Sequence, residues 1–173
     1  RETIYDTVNR TAVNKADANS PRLYELLSPE FIQLDLSCDD WQDAIRRVCL
    51  PLLNRHYFNS DYINEILDVT DKYGPYYILA PEVALPHASP GKNSYKTGIS
   101  FARLSEPIDF GTDEKVPVRY IFILSVVDKQ SHLRSLFTLI QLVRSGRFIE
   151  QLSKAKDPDQ VHQLIYHFET ELP

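Results

Sequence analysis

Apolar residues that alternate with polar ones, or that cluster in short runs, predict the strands of this chain. Ile32-Gln-Leu-Asp-Leu36 alternates in the way that is typical of a half-buried strand. Val118–Val127 is the most apolar run, and its β-branched and aromatic residues predict a central strand that is buried on both faces. Tyr76–Leu79 and Tyr95–Leu104 predict two further strands, and Glu106-Pro107 predicts a turn.

Apolar residues at helical spacing predict the helices that lie between and after these strands. One apolar face begins at Trp41, after Asp39 or Asp40 as N-cap, and Pro51 is expected to bend or interrupt this helix because its ring clashes with the preceding turn. A second helix is predicted after an N-cap at Ser60 and is expected to end before Gly74-Pro75. Further helices are predicted from Ser131 to Val143 after an N-cap at Asp128, from Phe148 to Lys154 and from Asp157 to Leu172, with short helices at Pro21 and Pro29.

Helices that precede, separate and follow the strands predict an α/β fold, with a mixed central β-sheet sandwiched by helices on both faces. The chain has 173 residues, which is the size of one domain. Residues 1–20 are polar and are predicted to be a linker or tail, so the predicted domain covers residues 21–173. The chain begins with Arg1 and contains no methionine, as expected of a piece of a longer polypeptide.

Charge and composition exclude several classes of function and location. The net charge of −5 argues against a face that contacts nucleic acid. No apolar run approaches the roughly 20 residues that span a bilayer, and no signal peptide is visible, so we expect no membrane insertion and a cytoplasmic location. Cys38 and Cys49 suit a reducing compartment, and their spacing matches no zinc motif.

One proline-rich stretch, Ala80–Pro90, differs from the rest of the chain. Its three prolines lack an N–H and fix φ, which is expected to keep it out of a regular helix and out of a central strand. Pro86 also favours an extended conformation at Leu85, so His87 ends a stiff, extended run. Taken alone, the local pattern favours a histidine in an ordinary proline-rich surface turn.

Two motifs give His87 a chemical context. The first is Ala80-Pro81-x-x-Ala84-Leu85-Pro86-His87-Ala88, and the second is Asp128-x-x-Ser131-His132-Leu133. Together they resemble the IIA components of the bacterial phosphoenolpyruvate:sugar phosphotransferase system, of the mannitol/fructose type and within it the ascorbate-like group. The resemblance runs from about Leu26 to the end of the chain.

The resemblance implies that His87 is the phosphorylated residue and that His132 supports it. A IIA component takes its phosphoryl group from the phosphocarrier protein HPr and passes it to a IIB domain that serves a sugar permease. IIA-like domains also end bacterial transcription activators and antiterminators, where the same phosphorylation reports sugar availability. The missing methionine and the linker-like residues 1–20 favour this second context. A third alternative is a non-catalytic IIA-like module that only binds partners, so whether the domain is an enzyme stays open.

The chemistry of the two histidines agrees with these roles. A neutral imidazole is a nucleophile near pH 7 and can attack a phosphoryl group. His132 is predicted in the first turn of a helix, where unpaired N–H groups and the helix dipole favour an anion. Both motifs follow strands, so both are expected to meet at the carboxyl ends of the sheet. Ser131 could supply a hydroxyl, and Lys72 is a candidate basic group.

Other kinds of site find less support. His87, His132 and Asp128 contain the ligand types of a two-histidine, one-carboxylate metal site, but no helical His-x-x-x-His or Glu-x-x-His pattern accompanies them. The IIA resemblance requires no metal or organic cofactor. No glycine-rich phosphate loop is present, so a nucleotide donor is not expected. Three further histidines lack a comparable context and are predicted to be structural or surface residues, namely His56, His162 and His167.

Overall fold

A five-stranded mixed sheet forms the centre of the protein in a computed structural model that describes residues 20–173. The sheet order is β1-β4-β5-β3-β2, in which β1 runs parallel to β4 and β3 runs parallel to β5, whereas the other neighbours are antiparallel. The strands are β1 (Ile32–Leu36), β2 (Ile78–Ala80), β3 (Glu82–Ala84), β4 (Gly98–Asp109) and β5 (Pro117–Ser125). The prediction of a linker over residues 1–20 lies, except for Ser20, outside the described residues.

Helices cover both faces of this sheet. They are α1 (Leu23–Leu26), α2 (Trp41–Asn54), α3 (Ser60–Tyr73), α4 (Leu133–Val143), α5 (Gly146–Lys154) and α6 (Pro158–Glu171), with a 3-10 turn at Pro29–Phe31. Ser100 in β4 donates a hydrogen bond to Val48 O in α2, whereas Arg103 donates to Leu152 O at the end of α5. Because Ser100 and Arg103 are three positions apart on one strand, they point to opposite faces. The α/β sandwich prediction is confirmed.

The apolar run that predicts a central strand is β5. It lies between β4 and β3, and every residue from Tyr120 to Ser125 is buried. The rings of Phe101 and Phe122 pack across the β4–β5 pair with centroids 4.6 Å apart. Each large apolar side chain buried in this way stabilises the fold by about 1.5–3 kcal/mol relative to an exposed position. The strand that leads toward His132 is therefore an inner strand held by its buried apolar side chains.

The prolines of the Ala80–Pro90 stretch do not exclude it from the sheet, and that prediction is wrong. Glu82–Ala84 forms β3, which lies between β5 and β2, with Val83 opposite Tyr120. The three residues fall between Pro81 and Pro86, so neither proline removes an N–H from the strand itself. A proline is compatible with an inner strand when it stands just outside the paired residues.

The predicted turn at Glu106-Pro107 is also wrong, because β4 continues through it to Asp109. The register between β4 and β5 shifts between Arg103 and Ile108, and this irregularity accommodates the missing N–H of Pro107. The chain turns later, where Asp109 Oδ1 accepts hydrogen bonds from the N–H groups of Gly111 and Val116, each at 2.8 Å. The turn therefore lies a few residues later in the chain than the predicted position.

Pro51 does not interrupt α2, which runs from Trp41 to Asn54 with Asp40 as its N-cap. A proline in a helix leaves the carbonyl four residues earlier without its N–H partner, and that carbonyl here is Arg47 O. Gln33 on β1 donates its side-chain amide to Arg47 O at 3.0 Å. The strand beside the helix therefore supplies the bond that the proline removes.

The N-cap of α3 is Asn59, one residue before the predicted Ser60. The Asn59 side chain accepts a hydrogen bond from Tyr62 N at 3.2 Å and donates to Asn93 Oδ1 and to the Tyr95 hydroxyl. The helix ends as predicted at Gly74, which has φ of 76°. Between residues 20 and 173, none of the helices combines the length and the apolar character needed to span a membrane.

Candidate functional site

The parallel strands β3 and β5 end at the same edge of the sheet, and the two sequence motifs follow them. His87 comes three residues after β3, and the chain stays beside β5 in between, since Leu124 N donates to Pro86 O at 3.2 Å. His87 itself forms an isolated parallel bridge with Leu124. The expectation that both motifs lie at the carboxyl ends of neighbouring strands is therefore confirmed by the topology.

The ring of His87 is held in one orientation. Its Nδ1 lies 2.9 Å from Leu85 O, and its edge packs against Tyr76 with ring centroids 5.8 Å apart at 70°. A carbonyl oxygen can only accept a hydrogen bond, so Nδ1 carries the proton of the neutral ring. Nε2 is then left with a free lone pair on a partly exposed side chain. This arrangement leaves Nε2 as the ring nitrogen that is able to act as a nucleophile.

The two histidines are close enough to interact electrostatically. Burial lowers the pKa of His87 to about 4; the Leu85 carbonyl opposes this shift, and the charge of His132 adds to it. Burial also lowers the pKa of His132, while the Asp128 carboxylate acts in the opposite direction. Both pKa values therefore lie below the ordinary histidine value, and a positive charge on His132 would disfavour a second one on His87. Near neutral pH both rings are uncharged.

The low pKa of His87 predicts a loss of stability in acid. The unfolded chain binds this proton near the ordinary histidine pKa of about 6.5, whereas the folded chain binds it only near pH 4. The free energy of unfolding should therefore fall as the pH drops through this window, by about 3 kcal/mol from this group. Urea unfolding at several pH values, compared between wild type and His87→Gln, measures it. An equally steep loss in both proteins would contradict the assignment.

His132 lies at the N-terminus of α4, but as its N-cap and not within its first turn. The helix begins at Leu133, two residues after the predicted start, and the His132 carbonyl accepts from Leu136 N at 2.9 Å. Its Nδ1 is buried, and no residue between 20 and 173 offers it a hydrogen bond. A buried polar atom without a partner is costly, and such atoms often mark positions where a ligand binds.

Asp128 organises the turn that leads into α4, which corrects its prediction as the helix N-cap. Its Oδ1 accepts from Gln130 N at 2.8 Å and from Ser131 N at 2.7 Å, and its Oδ2 is in hydrogen-bond contact with the Ser131 hydroxyl. The N–H groups of this turn were expected to be open to an anion, and two of them are instead occupied by Asp128. The Ser131 hydroxyl is engaged by the same carboxylate.

The remaining candidates lie outside this arrangement. Lys72 is exposed, with its ammonium 5.2 Å from the centre of the Tyr73 ring, and none of the contacts within residues 20–173 brings it to His87. Over the same residues, no group of three or more histidine, cysteine, aspartate or glutamate side chains could hold a metal ion. His162 Nε2 lies 2.8 Å from Tyr24 O, and His167 pairs with Glu171 at 3.2 Å. His56 is exposed.

Tyr62 is the residue that the sequence analysis missed. It is fully buried in the first turn of α3, and its hydroxyl donates to Leu124 O at 2.6 Å. The same oxygen accepts from Ala88 N at 3.2 Å and from Val126 N at 3.1 Å. In the sequence, Tyr62 occupies one more apolar position of an amphipathic helix. The available signal was that a buried tyrosine hydroxyl needs a polar partner.

An apolar groove of about 590 Å³ lies elsewhere, between the β2–β3 connection and the junction of α4 with α5. Neither motif histidine contributes to it. Its lining residues are Leu79, Ala80, Pro81, Val143, Arg144, Gly146 and Ile149. The histidines are instead at the opposite end of β3, so the candidate site is a surface that a protein could approach.

Residues 25–168 match a protein family described as phosphoenolpyruvate-dependent sugar phosphotransferase system, EIIA 2. The chain belongs to this family. The chain is thus a IIA domain of the sugar phosphotransferase system, and the resemblance drawn from the two motifs is confirmed.

The relatives of this IIA domain include the types that the motifs indicate. It is 37% identical over 145 residues to the mannitol-specific cryptic phosphotransferase enzyme IIA component of Escherichia coli (strain K12). The matched region covers 83% of this chain and 97% of that protein. It is 27% identical over 135 residues to the ascorbate-specific PTS system EIIA component of the same strain. This match covers 78% of this chain and 88% of that protein.

Solved structures share the fold. The solution structure of the mannitol-specific cryptic IIA protein CmtB from Escherichia coli superimposes with a TM-score of 0.76 at 36% identity, covering 85% of this chain and 99% of that chain. The complex of enzyme IIAMTL with phosphorylated enzyme IIBMTL, also from Escherichia coli, has a TM-score of 0.68 at 23% identity, with 80% and 95% covered. The second likeness speaks for the fold alone.

Proposed function

We propose that this IIA domain accepts a phosphoryl group from phospho-HPr on Nε2 of His87. One observation carries the proposal: Leu85 O fixes the proton on Nδ1, so the lone pair of the neutral ring is on Nε2. In the transfer, a bond forms between Nε2 and phosphorus while the bond from phosphorus to its carrier atom on HPr breaks. The transition state is loose, so the domain contributes position and electrostatics more than covalent chemistry.

His132 would stabilise the transferring group. Its imidazole can donate a hydrogen bond to a phosphoryl oxygen, and its position at the N-terminus of α4 favours a negative charge. A phosphoryl group on His87 would also raise the pKa of His132, because an anion nearby favours the protonated ring. The buried Nδ1 of His132 supports this role, since the unphosphorylated domain gives that atom no partner among residues 20–173. The chemistry needs no metal or organic cofactor, because the phosphate itself is the cargo.

The proposed onward acceptor is a IIB domain. In the Escherichia coli mannitol system a IIA protein has been solved in complex with its phosphorylated IIB partner. A IIB domain would approach the same partly exposed face of His87 that HPr uses, one after the other. The alternative is a regulatory role, in which the phosphate reports sugar availability inside a transcription regulator. The phosphoryl group would be accepted on the same Nε2 atom of His87, and only its later fate would differ.

The direct test is phosphotransfer in vitro. The domain is incubated with enzyme I, HPr and phosphoenolpyruvate and followed by intact mass, and the bonded nitrogen is identified by NMR on protein with ¹⁵N-labelled histidine. We expect one phosphate that is lost in acid and is attached to Nε2. Phosphate on Nδ1 would contradict the tautomer assigned here. No phosphate on the domain, while HPr in the same tube is phosphorylated, would favour the non-catalytic binding module.

A second step separates the two contexts. The phosphorylated domain is isolated and mixed with candidate IIB domains, and the phosphate is followed by mass. Fast movement of the phosphate onto one IIB domain supports the transport relay. Retention of the phosphate with every IIB domain supports the sensing role.

A further inference from the structure

One buried hydroxyl connects the two halves of the site. Tyr62 Oη contacts Ala88 N, the amide directly after His87, at 3.2 Å. It also contacts Leu124 O at 2.6 Å and Val126 N at 3.1 Å, at the end of the strand that leads to His132. A tyrosine hydroxyl has one donor and two acceptor sites, and these three bonds use all of them.

The ring that carries this hydroxyl is fixed independently of it. The Tyr62 ring stacks on Phe58, with centroids 4.7 Å apart and planes at 17°. Its backbone N–H is held by Asn59, which is itself bonded to the loop that contains Asn93. Removal of the hydroxyl should therefore leave the ring in place and release only the three groups that it joins. This separation makes the hydroxyl's own contribution measurable.

The released groups lie at the positions that set the geometry of the site. Pro86 O and Leu124 N already form one bond between the His87 segment and β5. Beyond His87, the bond from Ala88 N to Tyr62 is the next attachment of that segment to the end of β5. Without the Tyr62 bond, the segment after His87 would keep the His87–Leu124 bridge and the hydrogen bond from Ser94 Oγ to Val126 O, but it would lose the hydroxyl that joins Ala88 to both Leu124 and Val126. A displacement of about 1 Å at a reacting group costs up to about 100-fold in rate.

We propose that Tyr62 is a positioning residue for the phosphoryl transfer: its hydroxyl sets the distance and angle between Nε2 of His87 and the His132 ring. This inference rests on the proposed function, since it concerns the rate of that same transfer. Tyr62 does not touch the phosphoryl group. It acts through Ala88 on one side and through Leu124 and Val126 on the other.

Tyr62→Phe tests the proposal through initial rates of phosphorylation at varied phospho-HPr concentration. We expect kcat to fall about 10-fold to 100-fold, with KM for phospho-HPr unchanged, because the docking surface keeps its side chains. Loss of a buried hydroxyl also lowers stability. The assays are therefore run in sucrose, which favours the folded state, and folding is checked by circular dichroism.

Tyr77→Phe is the matched control. Tyr77 is also buried, and its hydroxyl shares a hydrogen bond of 2.8 Å with Thr70 Oγ1, on α3 and away from Ala88. This variant loses a buried hydroxyl of the same kind and should keep the wild-type kcat. Equal kcat values for Tyr62→Phe and Tyr77→Phe would overturn the proposal, even if both variants melt at lower temperature.

The ¹⁵N spectrum of the histidines gives a readout that needs no phosphotransfer. In both proteins we expect His87 as the Nδ1–H tautomer, because Leu85 O fixes that proton, and in Tyr62→Phe we expect a shifted and broadened Nε2 signal, because the position of the ring is less fixed. If the wild type takes up no phosphate, the proposed function fails, and Tyr62 is then judged by this spectrum alone. A His87 signal identical in the two proteins would overturn the positioning role.

Discussion

Replacement of His87 by alanine is expected to abolish phosphate uptake from phospho-HPr. In the proposed transfer the Nε2 lone pair is the nucleophile, and alanine offers no atom that could replace it in this geometry. The ring is neutral and half-buried near pH 7, so its loss removes no charge and the variant should remain folded. Intact mass after incubation with enzyme I, HPr and phosphoenolpyruvate measures the effect, and the expected incorporation is none.

His167→Ala serves as the control for this substitution. His167 is exposed on α6, where its Nε2 lies 3.2 Å from Glu171 Oε1 and its ring makes an edge contact with the Phe168 ring. This variant should take up one phosphate at the wild-type rate. Phosphate on His87→Ala at a comparable level would show that another residue is the acceptor, and the assignment of the site would then be wrong.

His132→Ala is expected to slow the transfer without abolishing it. The proposed nucleophile, His87, is intact. The phosphoryl group loses a hydrogen-bond donor that would stabilise the negative charge on its oxygens in the transition state. Loss of one such preorganised donor costs about 100-fold to 1,000-fold in kcat in comparable cases. A rapid-quench time course of phosphorylation measures this, and the final extent should still reach one phosphate per chain.

His132→Gln separates hydrogen bonding from packing at this position. The glutamine amide retains a donor of similar reach and should recover part of the lost rate. A full rate in His132→Ala would remove His132 from the mechanism. Complete loss of uptake in a folded His132→Ala would instead mean that His132 is itself an acceptor.

Periodicity in the sequence was sufficient where one face of an element packs on the core. The apolar positions that predict α2 include Ala44, Ile45, Val48 and Leu52, and all four are fully buried. The central strand β5 was likewise evident, because burial on both faces requires a continuous apolar run. In both elements, the positions that are apolar in the sequence are the positions that are buried in the fold. The sequence pattern alone therefore predicts where these elements lie.

The errors fall where a local preference competes with tertiary pairing. The three prolines predicted that the segment around His87 lies outside the sheet, but Glu82–Ala84 pairs with β5 and His87 bridges to Leu124, because the paired residues fall between the prolines. Ser60 and Asn59 are both good N-cap residues, and the structure selects Asn59, whose side chain also reaches Asn93 and Tyr95. Such choices depend on partners that lie far away in the sequence.

Part of the candidate site could be predicted from the sequence. The two motif histidines could be located because their motifs resemble those of the IIA family, and they stay the predicted phosphoryl site. The role of Tyr62 was not visible, since its partners Ala88 and Val126 are 26 and 64 positions away. A single sequence shows that a tyrosine occupies an apolar position of a helix, but it does not show which backbone groups its hydroxyl will meet.

The short strand β3 would make the proposed phosphorylation depend on a pairing between residues that are far apart in the sequence. Val83 pairs with Tyr120, so the intervening segment must close into a long loop before the pair can form. Contacts of this kind are slow to form, because the entropy of loop closure is lost first. A newly made or partly folded chain therefore lacks the joined His87 and β5 segments. Only a chain that has completed its sheet would draw phosphate from a shared carrier protein.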